Sequence, residues 1–250
     1  MPQEYGFALP RPTLAYGTAA IGEWRLVRSP AGISSSYISR HAIERDHMVL
    51  RQGDVDWMAT SLLELESHAW HLSRSRGVVV AAGLGMAFFA HAAASRPDVE
   101  RVIVAEIDPA VPRLLDLACP GWEMGGKIET IVADAGGEAF ADEVRRRLGG
   151  RRPDYLYADV WSAYPDPDAP GWTSGLAGRL DPHEAGWWGQ ELSLALDCAD
   201  RDQPISGASF DAYFARYEVP ASRTEGYLDF CRAAADTHLG EDAEADLGPL

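Results

Sequence analysis

An α/β fold built on a parallel sheet is what this 250-residue sequence predicts, and three observations predict it. Apolar runs rich in β-branched residues alternate with segments of good helix formers. The runs end in glycine or in an acid, as buried parallel strands do where they reach a ligand. The longest uncharged stretch, between Arg76 and Arg96, is broken by Gly83 and Gly85, so it reads as strand, turn and helix and not as a membrane span.

The elements follow in order. Residues 1–60 are expected to form an N-terminal β-layer: "IGEWRLVRSP" and "GISSSYISR" read as strands that pair, and "HMVLRQGDVDWMAT" follows them. The opening "MPQEYGFALPRP" lacks a basic region backed by an apolar stretch, so it does not read as a signal peptide. In the helix that leads into the sheet, Glu64, His68 and His71 recur at i, i+4 and i+7 and share one face. An ordinary polar face is the plain reading of that spacing. Glu64 and His68 are kept as candidate substrate contacts, no metal is expected, and Glu66 is expected to be solvated.

The core is expected over residues 61–165. "RGVVVAAGLGMAFFAHAAASR" gives a valine strand, a glycine turn, and a helix over Met86 to Ser95. In "RVIVAEIDPAVPRLLDLACPGW" the strand spans Arg101 to Ile107, Asp108 can cap the next helix, and Pro109 suits its first turn. "KIETIVADAGGEAFADEVRRRLGG" repeats the pattern and stops at Gly149-Gly150, with Arg145, Arg146 and Arg147 where cations suit the helix dipole. "PDYLYADVW" is a fourth strand, Tyr155 to Asp159. Beyond it, "SAYPDPDAPGWTSG" reads as a loop, a helix is expected to begin near Asp181-Pro182, and "DAYFARYEV" and "EGYLDFCRAAADTHL" read as further helices. Residues 166–239 are thus expected to be a mostly helical part of the same domain, and 240–250 an acidic tail.

Composition narrows the function. Apolar residues make up 46%, enough for a sizeable core, and the net charge of −16 is spread along the chain, which argues against a nucleic-acid partner. Cys119, Cys198 and Cys231 are odd in number and widely spaced, so buried thiols and a reducing, cytoplasmic setting are expected. Trp161, Trp172, Trp187 and Trp188 follow the fourth strand; they suit an aromatic pocket or the interface of a homodimer.

Parallel sheets bind ligands at the carboxyl ends of their strands. Those ends carry Gly83-Leu84-Gly85, then Glu106, then Asp134-Ala135, then Asp159-Val160-Trp161. Glycine lets a ligand approach the backbone. Glu106 stands 23 residues after Gly83, about the interval at which an acid accepts from ribose hydroxyls. Asp134 is placed to meet an adenine amino group, and Asp159 projects where a reacting group would sit. A dinucleotide fingerprint fails because its third position is Phe88, and no phosphate-loop Gly-Lys-Ser/Thr follows. The expected ligand is a nucleoside without a pyrophosphate.

"VVVAAGLGMA", "VIVAEIDP", "ETIVADA" and "PDYLYADVW", in this order, resemble the ligand-binding motifs of class I S-adenosylmethionine-dependent methyltransferases, over roughly two-fifths of the chain. The resemblance implies a Rossmann-like seven-stranded methyltransferase sheet with S-adenosylmethionine as cofactor. Gly83, Leu84 and Gly85 would pass its methionine part, Glu106 its ribose, Ile107, Asp134 and Ala135 its adenine, and Asp159 its sulfonium side. The family's acid and third glycine are replaced by Ala81, which removes an anchor for the ligand's amino group, and by Ala87, a mild change. The N-terminal β-layer resembles the spermidine synthase branch, although Asp166-Pro167 lies too far from Asp159 for that branch's D-x-x-D-P motif.

The function these features imply is in-line methyl transfer to a small-molecule acceptor, with Asp159 orienting or deprotonating it and Glu64, His68, Trp161 and Tyr164 contacting it. The alternatives are aminopropyl transfer and a non-catalytic scaffold. No membrane partner is expected.

Overall fold

The computed structural model describes residues 2–8 and 13–240. The acidic segment expected at the C-terminus lies, from residue 241 on, outside the described residues, as does part of the opening segment.

After a 3-10 turn at Pro2–Tyr5, the strands β1 (Ala19–Ile21), β2 (Trp24–Ser29), β3 (Gly32–Ser34), β4 (Ala42–Glu44), β5 (His47–Gln52) and β6 (Val55–Ala59) follow one another. Four of them form an antiparallel sheet in the order β1-β2-β5-β6. The pairing expected between "IGEWRLVRSP" and "GISSSYISR" does not form. Instead β2 pairs with β1 and β5, and β3 joins only β4, in a separate ribbon. Burial decides the matter. Leu26 of β2 stands opposite Leu50 of β5 and both are buried, whereas Ile33 of β3 and its cross-strand partner Ile43 point into solvent.

Helices α1 (Leu62–Ser67) and α2 (Ala69–Arg74) meet at His68 and lead into the second sheet. There β7 (Gly77–Ala82), α3 (Phe88–Ala94), β8 (Val99–Glu106), α4 (Ala110–Ala118), β9 (Ile128–Val132), α5 (Glu138–Leu148) and β10 (Tyr155–Ala158) alternate as their sequences predict. All pairings are parallel and, with β11 (Ala185–Trp187) at one edge, the spatial order is β11-β10-β7-β8-β9, which is the doubly wound, Rossmann-like arrangement. The strand side chains alternate between two cores. Val78, Val80 and Ala82 face α5 and the C-terminal helices; Val79 and Ala81 face α3, α4 and the N-terminal sheet.

The C-terminal part departs from expectation. Within the segment read as a loop, α6 (Ala169–Leu180) begins, and Asp181, where a helix was expected to start, is the left-handed residue that ends it. Its glycines are poor helix formers, but Thr173, Leu176, Ala177 and Leu180 are buried, and that burial outweighs propensity. A fifth strand follows, β11 (Ala185–Trp187), parallel to β10 with Ala185 opposite Leu156. Then come α7 (Gln190–Asp200), α8 (Gly207–Arg216) and α9 (Glu225–His238). Among the described residues this sheet has five strands, not the seven that the family resemblance implies. Cys119, Cys198 and Cys231 are free and buried. No helix among the described residues is long and apolar enough to cross a membrane.

Candidate functional site

The doubly wound order opens a crevice where β7 has neighbours wound in opposite directions, β8 on one side and β10 on the other. A cavity of about 400 Å³ occupies it. Its floor is made by the strand ends carrying Gly83, Leu84, Gly85, Glu106, Ile107, Asp134, Ala135 and Asp159. The structure thus brings together all eight residues that the motifs single out as ligand contacts. Trp161, Glu64 and His68 also line it. Tyr164 does not. Its ring packs against Trp188 at 4.4 Å and Tyr37 at 5.7 Å, behind the wall rather than on it.

The turn after β7 needs its glycines. Gly83 has φ +97, and a Cβ there would run into the backbone carbonyl of Asp159. Gly85 has φ +51, and its Cβ position is already filled by the side chain of Met58. Ala87 corrects the sequence reading. It has φ +57, so this alanine is held in the left-handed region, where an L side chain costs about 1–2 kcal/mol. The third glycine of the family motif is not mildly replaced here.

Glu106 is almost fully buried at the end of β8. Its Oε1 accepts from the amide of Asp108 at 2.9 Å and its Oε2 from that of Leu84 at 3.3 Å. Burial raises its pKa, and the amides of Asp108, Leu84 and Gly85 restrain the rise. Ile107 is 71% exposed, an apolar side chain free to cover a flat ring. Asp134 lies exposed on the rim, its Oδ1 accepting from the amide of Gly136 at 2.8 Å.

At the deep end, His68 lies between two carboxylates. Its Nε2 is 3.4 Å from Asp159 Oδ2 and its Nδ1 is 3.8 Å from Glu64 Oε2. The same Nδ1 lies 2.7 Å from the backbone oxygen of Glu64, so it carries a proton and donates. Burial pushes the His68 pKa down, but the nearby Asp159 and Glu64 carboxylates more than reverse it, and the net direction is up. Burial, opposed by His68, raises Glu64 to about 7. The ordinary polar face that the spacing suggested is not at the surface: Glu64, His68 and His71 are all buried. Glu66 is buried too, accepting from the amide of Ile38 at 3.2 Å. The Nε2 of His68 and the indole Nε1 of Trp57 are buried without a well-formed hydrogen bond, and both residues line the cavity.

Of the other wall, only the tryptophans that follow the fourth strand were foreseen. Trp24, Leu50, Gln52, Trp57 and Met58 reach in from the N-terminal sheet, and Trp172 and Trp188 come from the C-terminal part. Trp24 is anchored by its indole N–H, which donates to Asp108 Oδ2 at 2.7 Å. For Leu50, Gln52, Trp57 and Met58 the available signal was the placing of "HMVLRQGDVDWMAT" directly before the helix of Glu64. The charged groups on the lining, among the described residues, are Glu64, Glu106, Asp108, Asp134, Asp159 and His68; it holds neither lysine nor arginine.

A second buried cluster lies beneath. Glu191, fully buried, accepts from Tyr37 at 2.9 Å and Tyr227 at 2.8 Å. His71 Nε2 is 3.9 Å from it, and His71 Nδ1 meets the Tyr155 hydroxyl at 2.8 Å. None of these residues lines the cavity.

No family model matches the sequence, and no curated protein matches it. Among solved structures, spermidine synthase from Thermotoga maritima is similar at a TM-score of 0.39 and 12% identity, over 71% of this chain and 57% of that one. A spermidine synthase in complex with the transition-state analogue AdoDATO gives 0.38 and 13%, over 71% and 56%. MnmC2 from Aquifex aeolicus gives 0.36 and 12%, over 85% and 84%. The chain thus spans little more than half the length of the two spermidine synthases.

Proposed function

We propose that this chain is a transferase that binds an S-adenosyl sulfonium in the strand-end cavity and alkylates a small acceptor there. The observation that carries the reading is the convergence of Gly83, Gly85, Glu106, Asp134 and Asp159 on one cavity. A volume of about 400 Å³ suits a nucleoside-sized ligand. The partnerless N–H of Trp57 supplies a donor that only a ligand or water would satisfy.

Methyl transfer from S-adenosylmethionine is the first form of this reading. Glu106 would hold the ribose hydroxyls and Asp134 the adenine edge, with Ile107 against the ring. When bound, the sulfonium supplies an activated alkyl group, so little covalent help is asked of the protein. Asp159 and Glu64 would orient the acceptor and take its proton, and His68 would hold Asp159 in place. The indoles of Trp161, Trp172 and Trp188 would keep water out.

A second form has one observation in its favour. A lining of five carboxylates and one histidine, without lysine or arginine, suits a donor that bears no carboxylate. That donor is decarboxylated S-adenosylmethionine, and the reaction aminopropyl transfer.

Calorimetric titration with S-adenosylmethionine, S-adenosylhomocysteine and decarboxylated S-adenosylmethionine tests both forms, with Glu106→Ala alongside. Micromolar binding that the variant loses is the expected result. No binding of any of the three by the wild-type protein would leave the non-catalytic scaffold as the better reading.

A further inference from the structure

The turn between β7 and α3 is the place where the family resemblance expects a ligand's amino-acid tail, and its backbone donors are already spent. The amide of Gly83 donates to Ala105 at 3.0 Å, that of Leu84 to Glu106 at 3.3 Å, and that of Ala87 to the Leu84 carbonyl at 2.7 Å. The amide of Gly85 also faces Glu106. The remaining one, from Met86, donates to the thioether sulfur of Met58 at 3.0 Å. That same sulfur fills the space above Gly85 where a side chain would otherwise begin.

Met58 belongs to β6, paired with Leu50 across the N-terminal sheet, so the sheet itself holds the thioether over the turn. A thioether is a weak, uncharged acceptor. A carboxylate placed there would have to evict it to reach the Met86 amide. It would then lie beside Glu106, with no cationic side chain on the lining to offset the repulsion.

We propose that Met58 sets ligand selectivity in this cavity: it stands where an α-carboxylate would bind, so the site prefers adenosyl ligands that lack one. The inference rests on the S-adenosyl reading above, takes its second form rather than its first, and deepens it by naming the ligand class as adenosyl compounds without an α-carboxylate. Sulfur and volume play separate parts. The volume excludes the tail, and the sulfur occupies the amide.

The test is calorimetry with two neutral-pH probes, 5′-methylthioadenosine and S-adenosylhomocysteine, on the wild type, Met58→Ala and Met58→Leu. Wild-type protein is expected to bind methylthioadenosine about tenfold or more tightly than S-adenosylhomocysteine. Met58→Ala should close that gap by raising the affinity for S-adenosylhomocysteine, because it opens the space and frees the Met86 amide. Met58→Leu keeps the volume and should keep the gap. Equal affinities in the wild type would overturn the proposal without needing any variant. So would a Met58→Ala protein that loses both ligands alike, since Met58 would then be an ordinary piece of wall. If neither nucleoside binds the wild type or either variant, the S-adenosyl reading itself fails and takes this inference with it.

Discussion

Glu64 and Glu191 are both buried, and burial raises both to about 7. Their neighbours differ. Glu64 lines the cavity, is bonded by the backbone amide of Ala59 at 3.3 Å, and shares His68 with Asp159. Glu191 is sealed under the sheet and accepts two tyrosine hydroxyls. The two histidines differ as well. His68 is held up by its carboxylates, whereas burial and the nearby His68 push His71 well down. A raised acid marks burial in both places, and access to a cavity is what makes one of them a candidate for chemistry. The sealed cluster is a polar network tied by tyrosine hydroxyls, in which the Nε2 of His71 is left without a hydrogen bond.

Two substitutions should separate these roles most sharply. Asp159→Asn is expected to lower turnover about 100-fold or more, equivalent to ~3 kcal/mol of transition-state stabilisation, once a substrate is in hand. Its urea midpoint should barely move, because Asp159 sits at the cavity and is partly solvated. Glu191→Ala should do the reverse. It strands the hydroxyls of Tyr37 and Tyr227 and leaves a void, at a cost of about 3 kcal/mol in urea unfolding. A Glu191→Ala protein of wild-type stability that has lost its activity would invert the comparison.

The pH dependence is smaller and more specific. Both acids rise from an ordinary 4.5 to about 7, so the folded state favours their protonated forms. Their contribution to stability is therefore full below pH 4.5 and is lost as pH rises through about 7. Glu191→Gln removes one of these titrations, so any stability advantage of the wild type over this variant should shrink across that window. Activity should distinguish the two acids. The wild-type rate is expected to rise through pH about 7 as Glu64 ionises. That limb should persist in Glu191→Gln and flatten in Glu64→Gln. A limb that follows Glu191 instead would mean that the sealed cluster exchanges protons with the cavity.

The cavity side of this comparison was the legible side. From β7 to β10 each strand is short, largely apolar and followed by glycine or an acid, and local chemistry suffices to place Gly83, Glu106, Asp134 and Asp159 at strand ends. Distant contacts were not legible. β11 is three residues long, contains Gly186, and is a strand because β10 lies beside it. Trp57 and Met58 reach the site through the register of an antiparallel sheet, which turns on burial that the local pattern does not show. The network around Glu191 joins Tyr37, Glu191 and Tyr227, residues more than thirty positions apart in sequence, through contacts that no local motif encodes.

Backbone strain extends the comparison, and it lies on the cavity side. Glu191 sits on the regular helix α7. Ala87 ends the turn beneath Met58 with φ +57, fully buried, with its amide tied to Leu84. Glycine would adopt this conformation without penalty but would lose more chain entropy on folding, so Ala87→Gly is expected to stabilise the protein by about 1 kcal/mol or slightly less. Thermal and urea unfolding would read that gain. The same variant should loosen the turn on which Met58 rests, so a change in nucleoside affinity is expected alongside it. A gain in stability with binding unchanged would mean that the strain is incidental to the site. A loss of stability would mean that the Ala87 methyl, packed among Leu84, Met86 and Phe89 in the same core, is worth more than the relief of its backbone.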